Sequence, residues 1–266
     1  MPPNGRGIWR RLPSALDSRV AECLRAGCET AESMASANVF FRADDVGVPG
    51  MQFARLMRLF AKYGAPLSLA IVPAWLTPDR WRYLSSFENR IPSRWCWHQH
   101  GWRHANHEAE GKKQEFGDAR SLLEIKQDLI RGKGRLEQLM AAAFYPVFTP
   151  PWNRCSANTL QVLKDLGYAA VSRSRGSRPL LTGGLADFYI NVDLHTRKER
   201  DPAAGWNNLL REFEQAIASG YCGIMIHHQM MNAAAFGFLE ILLKALINHP
   251  KIQLVNFKDL VSQKVY

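Results

Sequence analysis

NVFFRADDV (38–46), MQFARLMRLFAKYG (51–64) and PLSLAIVP (66–73) are three consecutive stretches whose order decides the fold. The first is a β-rich run and the third a short, mostly apolar one, and both read as strands. The stretch between them has apolar residues at helical spacing and closes on Gly64, where a helix C-terminal glycine belongs. Strand, helix, strand, with strands apolar on both faces, predicts parallel pairing under a cover of helices. A dinucleotide-binding fold would place a glycine-rich loop after the first strand; this chain has FRADDVG (41–47) instead, which counts against that fold.

The same alternation continues downstream. RWCWHQH (94–100), FYPVFTP (144–150), YAAVSRS (168–174), DFYINVDL (187–194), YCGIMIHHQ (221–229) and IQLVNF (252–257) read as strands. Helical stretches at 121–143, 156–167, 207–220 and 234–249 separate most of them. Seven or eight strands of this kind close into a barrel or lie open as a doubly wound sheet. Upstream, SALDSRVAECLRAGCETAE (14–32) has a helical pattern, so residues 1–36 are expected to form a helical extension outside one domain spanning 37–266. The basic RWR (80–82) and TRKER (196–200) are expected on loops or helix ends.

The chain has 266 residues, 47% hydrophobic and 22% charged, within reach of a single barrel domain with a real core. No apolar run approaches the ~20 residues that cross a bilayer. The amino-terminal stretch lacks the apolar core of an export signal, so a cytoplasmic location is expected. Cys23, Cys28, Cys96, Cys155 and Cys222 are odd in number with no CxxC, and read as reduced structural thiols. A net charge of +10 suits an anionic substrate. Its basic residues are dispersed and not interleaved with aromatics, so nucleic acid is not the expected partner.

Polar residues gather at predicted strand ends, where a barrel carries its chemistry. Asp44 and Asp45 end an apolar strand; on regular strand geometry they would point to opposite faces and converge only if the chain turns. Buried carboxylates call for a metal or a cation, although a helix-capping pair ahead of residue 51 is the plain alternative. HQHGWRHANHE (98–108) holds four of the eight histidines: His98, His100, His104 and His107. His100 and His104 are spaced i, i+4, which lets two imidazoles face one metal across a helical turn. In FTPPWNR (148–154), Trp152 offers a flat wall for a sugar or acyl group, or is simply packed in a turn. His227 and His228 end the IMI strand, and one of them suits a general acid near neutral pH.

The ordered set FRADDVG, HQHGWRH, FTPPW and IMIHH resembles the polysaccharide deacetylases of the NodB-homology type, the fourth family of carbohydrate esterases. The resemblance spans roughly residues 38–260. It implies an α/β fold, a distorted (β/α)7 barrel, with a divalent metal, usually zinc, and hydrolysis of N- or O-acetyl groups on glycans. It also implies Asp44 as the base, with Asp45, His100 and His104 as metal ligands. His227 falls at the general acid and Trp152 at the groove wall, its N–H an oxyanion donor; His228 is able to exchange roles with His227. Arg154, His98, His107 and His228 are the further candidates for substrate contact.

Two departures stand out. Where the family's third motif has an arginine that orients the base, this chain has Thr149; Arg42, on the strand face of Asp44, is the replacement offered first, with Arg154 second. The Asp-x-x-Asp motif is nearest to Asp193. The expected substrate is an N-acetylated sugar or a nucleotide- or lipid-linked precursor of a surface polysaccharide such as O-antigen. A non-sugar amide hydrolase and a catalytically silent glycan-binding barrel are the rivals.

Overall fold

In the computed structural model, which describes residues 7–31, 36–88, 92–181, 183–197 and 199–263, strand β1 (Ala37–Val46) is the axis of the sheet. One edge of β1 pairs with β8 (Tyr221–Ile226), from Asn38↔Tyr221 to Ala43↔Ile226. Its other edge is shared. β9 (Ile252–Val255) pairs with Ala37–Phe40, and β2 (Leu67–Ile71) with the stretch from Arg42 to Val46. Beyond β2 come β3 (Trp95–His100), β4 (Phe144–Thr149), β5 (Ala170–Val171) and β6 (Ala186–Asp187), while β7 (Val192–Asp193) flanks β8. Every pairing is parallel. The sheet curls into the distorted (β/α)7 barrel expected from the motifs, not the open doubly wound alternative.

Local chemistry starts and stops the helices. α2 (Met51–Tyr63) ends on Gly64 at φ 59°, the left-handed position that glycine occupies without strain. α4 (Leu122–Met140) opens with a reciprocal capping box between Ser121 and Glu124, and Ser156 caps α5 (Ala157–Asp165). α6 (Pro202–Ala218) has Asp201 as its cap and α7 (Ala233–Ile247) has Asn232. In the amino-terminal segment, α1 (Leu16–Thr30) lies on α6 and α7, with Leu16, Val20, Leu24 and Cys28 joining the main core cluster. Residues 1–6 and 32–35 of the anticipated extension lie outside the described residues.

Three expectations are corrected. DFYINVDL is not one strand: it breaks into β6 and β7 on the two opposite edges of the curled sheet, bridged midway by Ser174↔Ile190. The segment crosses the barrel seam, so each strand lasts only as long as its edge is in reach. RWR lies within a helix, α3 (Pro78–Ser85), started by Pro78 and by the Thr77 side chain accepting the Arg80 N–H. After β9, Asn256 and Asp259 exchange side-chain hydrogen bonds with each other's backbone N–H, and this starts α8 (Phe257–Gln263), which the strand reading at 252–257 did not include. The five cysteines are free thiols. No helix among the described residues is long and apolar enough to cross a membrane.

Candidate active site

The carboxyl end of β1 does not stay regular. Asp45 sits at φ 59°, and the β1–β2 register shifts between Ala43 and Val46. This bulge supplies, at Asp45 itself, the turn that adjacent carboxylates need. Asp45 Oδ1 lies 3.2 Å from Nε2 of His100 and 3.2 Å from Nε2 of His104. The three ligand atoms fall within 4.8 Å of one another.

The tautomer of His100 bears on what belongs between them. Its Nδ1 lies 2.9 Å from the Thr149 carbonyl oxygen, which only accepts, so Nδ1 carries the proton and Nε2 turns a lone pair toward Asp45. Asp45 Oδ1 is itself buried without a hydrogen-bond partner. Burial disfavours a second proton on His100, yet Asp45 and Asp44 outweigh it and raise its pKa, the same attraction that would favour a cation beside Nε2. One carboxylate and two imidazole nitrogens gathered at one spot fit a divalent cation with open positions for water.

The histidines converge through a loop, not across a helical turn. His100 ends β3, Gly101 stands at φ 58° and His104 at φ 61°. A Cβ on Gly101 would come 2.1 Å from Glu115 Oε2 and 2.6 Å from Pro151 Cγ. Glu115, buried at 1% exposure, holds the loop by accepting the Trp102 N–H at 3.2 Å and the Arg103 N–H at 2.7 Å. Trp152, at φ 55°, sets its ring 4.4 Å from that of His104, and the Trp75 ring stands 6.0 Å from it. Two indoles thus adjoin His104.

Asp44 is clamped by the arginine on its own strand. Arg42 Nε donates to Oδ1 and Nη2 to Oδ2, both at 2.7 Å. The guanidinium is fully buried and also donates to the Ser172 carbonyl (3.0 Å), Ser172 Oγ (2.8 Å) and Asn153 Oδ1 (2.6 Å). Burial alone would raise the Asp44 pKa, but Arg42, then His100 and His227, hold it below the ordinary carboxylate value. Arg154 does not reach Asp44: its Nη1 donates to the Lys113 carbonyl at 3.3 Å. Thr149 has a different task, accepting the Gly101 N–H and the His100 proton while its hydroxyl bonds His98 Nε2 at 2.9 Å.

The remaining histidines separate. His227 is half-buried, and its charge acts on both Asp44 and Asp45. His228 is sealed at 1% exposure, with its ring against Phe53 and its pKa pushed down to about 4, chiefly by burial. His98, within β3, is wholly buried, and desolvation and then Arg42 lower its pKa to about 3. His107 is exposed on the loop, its N–H bonded to the Gln114 carbonyl, apart from the cluster. Asp193 accepts the N–H groups of His195 and Thr196 at a turn.

His195, Ser172, Asn153 and Glu115 were not anticipated. His195 lies between Trp9, stacked at 5.7 Å, and His227, edge-on at 6.5 Å. Both its ring nitrogens and His227 Nδ1 are buried without partners. Trp9 in turn donates to the Leu194 carbonyl, so the amino-terminal segment forms a wall behind His227.

A parallel barrel with carboxylates and imidazoles converging at its carboxyl strand ends is thus the class that fold and site define. Solved structures share the fold. A protein assigned as a polysaccharide deacetylase from Mycobacterium smegmatis superposes with TM-score 0.65 over 86% of this chain and 91% of its own, at 13% identity. A family 4 acetyl xylan esterase from Clostridium thermocellum, in complex with a cobalt ion, gives 0.56 over 86% and 92%, at 12% identity. A family 4 carbohydrate esterase pseudoenzyme from Bacillus anthracis gives 0.52 over 86% and 70%, at 13% identity. The sequence matches no family model and no curated protein. The fold is that of the NodB-type deacetylases, as the four motifs implied.

Proposed function

We propose that this protein is a metal-dependent deacetylase of an acetylated sugar. The observation that carries the reading is the Asp45–His100–His104 cluster placed beside an ionised, arginine-clamped Asp44. In this reading Asp45, His100 and His104 hold a divalent cation, zinc being the usual guest of such ligands. Bound there, the ion supplies a water of lowered pKa and polarises the acetyl carbonyl.

The chain's own residues do the rest. Arg42 occupies one lone pair on each Asp44 oxygen and leaves the others able to accept the attacking water's proton. His227 is the group placed to protonate the departing amine or alcohol. Trp152 walls the acyl group and its backbone N–H serves the oxyanion. The substrate is a phosphate-bearing precursor of a surface polysaccharide, in keeping with the +10 charge.

Acetate release from a panel of N- and O-acetylated sugars, free and phosphate-linked, tests this. Asp44→Asn is expected to keep the metal and lose most of the turnover. If the metal-loaded wild type binds acetylated sugars yet releases no acetate from any of them, the chain is a silent barrel and the proposal fails.

A further inference from the structure

Beside the Asp45–His100–His104 cluster, on the α2 side, opens a cavity of about 520 Å³. Val48, Pro49, Phe53 and Trp75 form its apolar walls, with Gly50, Gln52, Arg80, His228 and Gln229 as its polar lining. It adjoins the site directly: Gln229 Nε2 donates to the Asp45 carbonyl at 2.8 Å, and Trp75 lies against His104.

Three features give this cavity positive polarity. It sits at the amino end of α2, a 13-residue helix whose N-cap is Gly50 with no side-chain cap and no acidic residue in the first turn. The N–H groups of that turn lack intrahelical acceptors and present the positive end of the helix dipole. Arg80 is pinned by one bond, Nη1 to the Trp75 carbonyl at 2.5 Å, and its guanidinium makes no other hydrogen bond among the described residues. His228, sealed from solvent in the cavity lining, keeps its Nδ1 without a partner, so a buried polar atom there awaits a ligand.

The surroundings of the cavity are apolar. Val48 is 40% exposed, Met51 84% and Met230 44%, so three of the nine exposed large hydrophobic side chains in the described residues cluster here. Met51 belongs to the first turn of α2, and Met230 follows Gln229. A cationic pocket inside an apolar rim matches an anionic amphiphile, and a net charge of +10 favours its approach to an anionic surface.

We propose that this cavity binds the phosphate of a lipid-linked acetylated sugar, with the lipid's first carbons laid over Val48, Met51 and Met230. The phosphate meets the α2 amino terminus and Arg80. The assignment deepens the deacetylase reading and names its substrate class.

Calorimetric titration with decyl phosphate below its micelle concentration, on the intact protein, tests it without turnover. Decyl phosphate is expected to bind at least tenfold more tightly than inorganic phosphate or a neutral decyl glycoside. Arg80→Gln should lose about tenfold for decyl phosphate and nothing for the glycoside. Met51→Ser with Met230→Ser should erase the advantage of the alkyl chain and leave inorganic phosphate unchanged. Inorganic phosphate binding as tightly as decyl phosphate overturns the proposal, and so does an Arg80→Gln variant with unchanged binding. Tighter binding of a nucleoside diphosphate than of decyl phosphate also overturns it, in favour of a nucleotide-linked substrate. Failure of the deacetylase reading shows up separately, as absent acetate release with decyl phosphate binding intact.

Discussion

Replacing Arg42 by Met removes the one cation that touches Asp44, and with it two hydrogen bonds of 2.7 Å to the carboxylate. An opposite charge at that range depresses a carboxylate pKa by about one to three units, and each unit corresponds to about 1.4 kcal/mol. Asp44 would therefore lose much of its preference for the ionised form. In the wild type the depressed pKa means that the pair's stabilisation is present above the unfolded carboxylate value, about 3.9. It is lost as pH falls through the lower folded value. Without Arg42 the burial of Asp44 is opposed only by His100 and His227, so its pKa rises. The acidic limb of the pH–rate profile is then expected to move up, with metal content unchanged.

Acetate release from pH 4 to 9, with metal content and circular dichroism followed in parallel, reads this out. Breaking a buried pair costs about 3–5 kcal/mol and endangers folding, so Asn153→Ala is the companion variant. It removes a single 2.6 Å bond to the guanidinium and should shift the limb in the same direction by less. Arg154→Met, whose guanidinium is tied to the Lys113 carbonyl, should leave the limb in place. A folded Arg42→Met protein with an unmoved acidic limb, or a shift in Arg154→Met alone, refutes the assignment of Arg42 as the orienting arginine.

His227→Ala is expected to lower turnover by about 10²–10⁴ with metal retained, the range for losing a general acid. His228→Ala should act mainly on stability, seen as a lower thermal midpoint, because that ring is sealed against Phe53. A dead His228→Ala beside an active His227→Ala exchanges the two roles. Gly101→Ala forces a Cβ onto Glu115 and Pro151 in a left-handed conformation. A loss of metal affinity with the barrel still folded is expected, measured by competition with a chelating dye; wild-type affinity counts against the loop geometry.

Much of the frame was legible because it is local. Strands such as LSLAI are apolar on both faces, and the stretch from Met51 to Gly64 contains its own periodicity and its own stop. Arg42 and Asp44, two residues apart on one strand, share a face by strand geometry alone, and their ion pair was anticipated for that reason. His100 and His104 were paired by spacing, although the helical turn imagined between them is a loop held by Glu115.

What stayed hidden depends on distant partners. Ser172 reaches Arg42 from 130 residues away and Asn153 from 111, and neither residue type announces such a role. His195 is a lone histidine in NVDLH with no local motif around it, and only the folded chain sets it between Trp9 and His227. The split of residues 187–194 follows from closure of the curled sheet, which no periodicity records.

The Asp45–His100–His104 cluster is the centre on which every proposed role depends. Metal content per chain, measured after saturation with Zn²⁺ and exhaustive dialysis, tests it most directly. Wild type is expected to retain one ion per chain, while His100→Ala and His104→Ala, still folded by circular dichroism, retain none. Stoichiometric metal in both variants, or none in the folded wild type, contradicts the site.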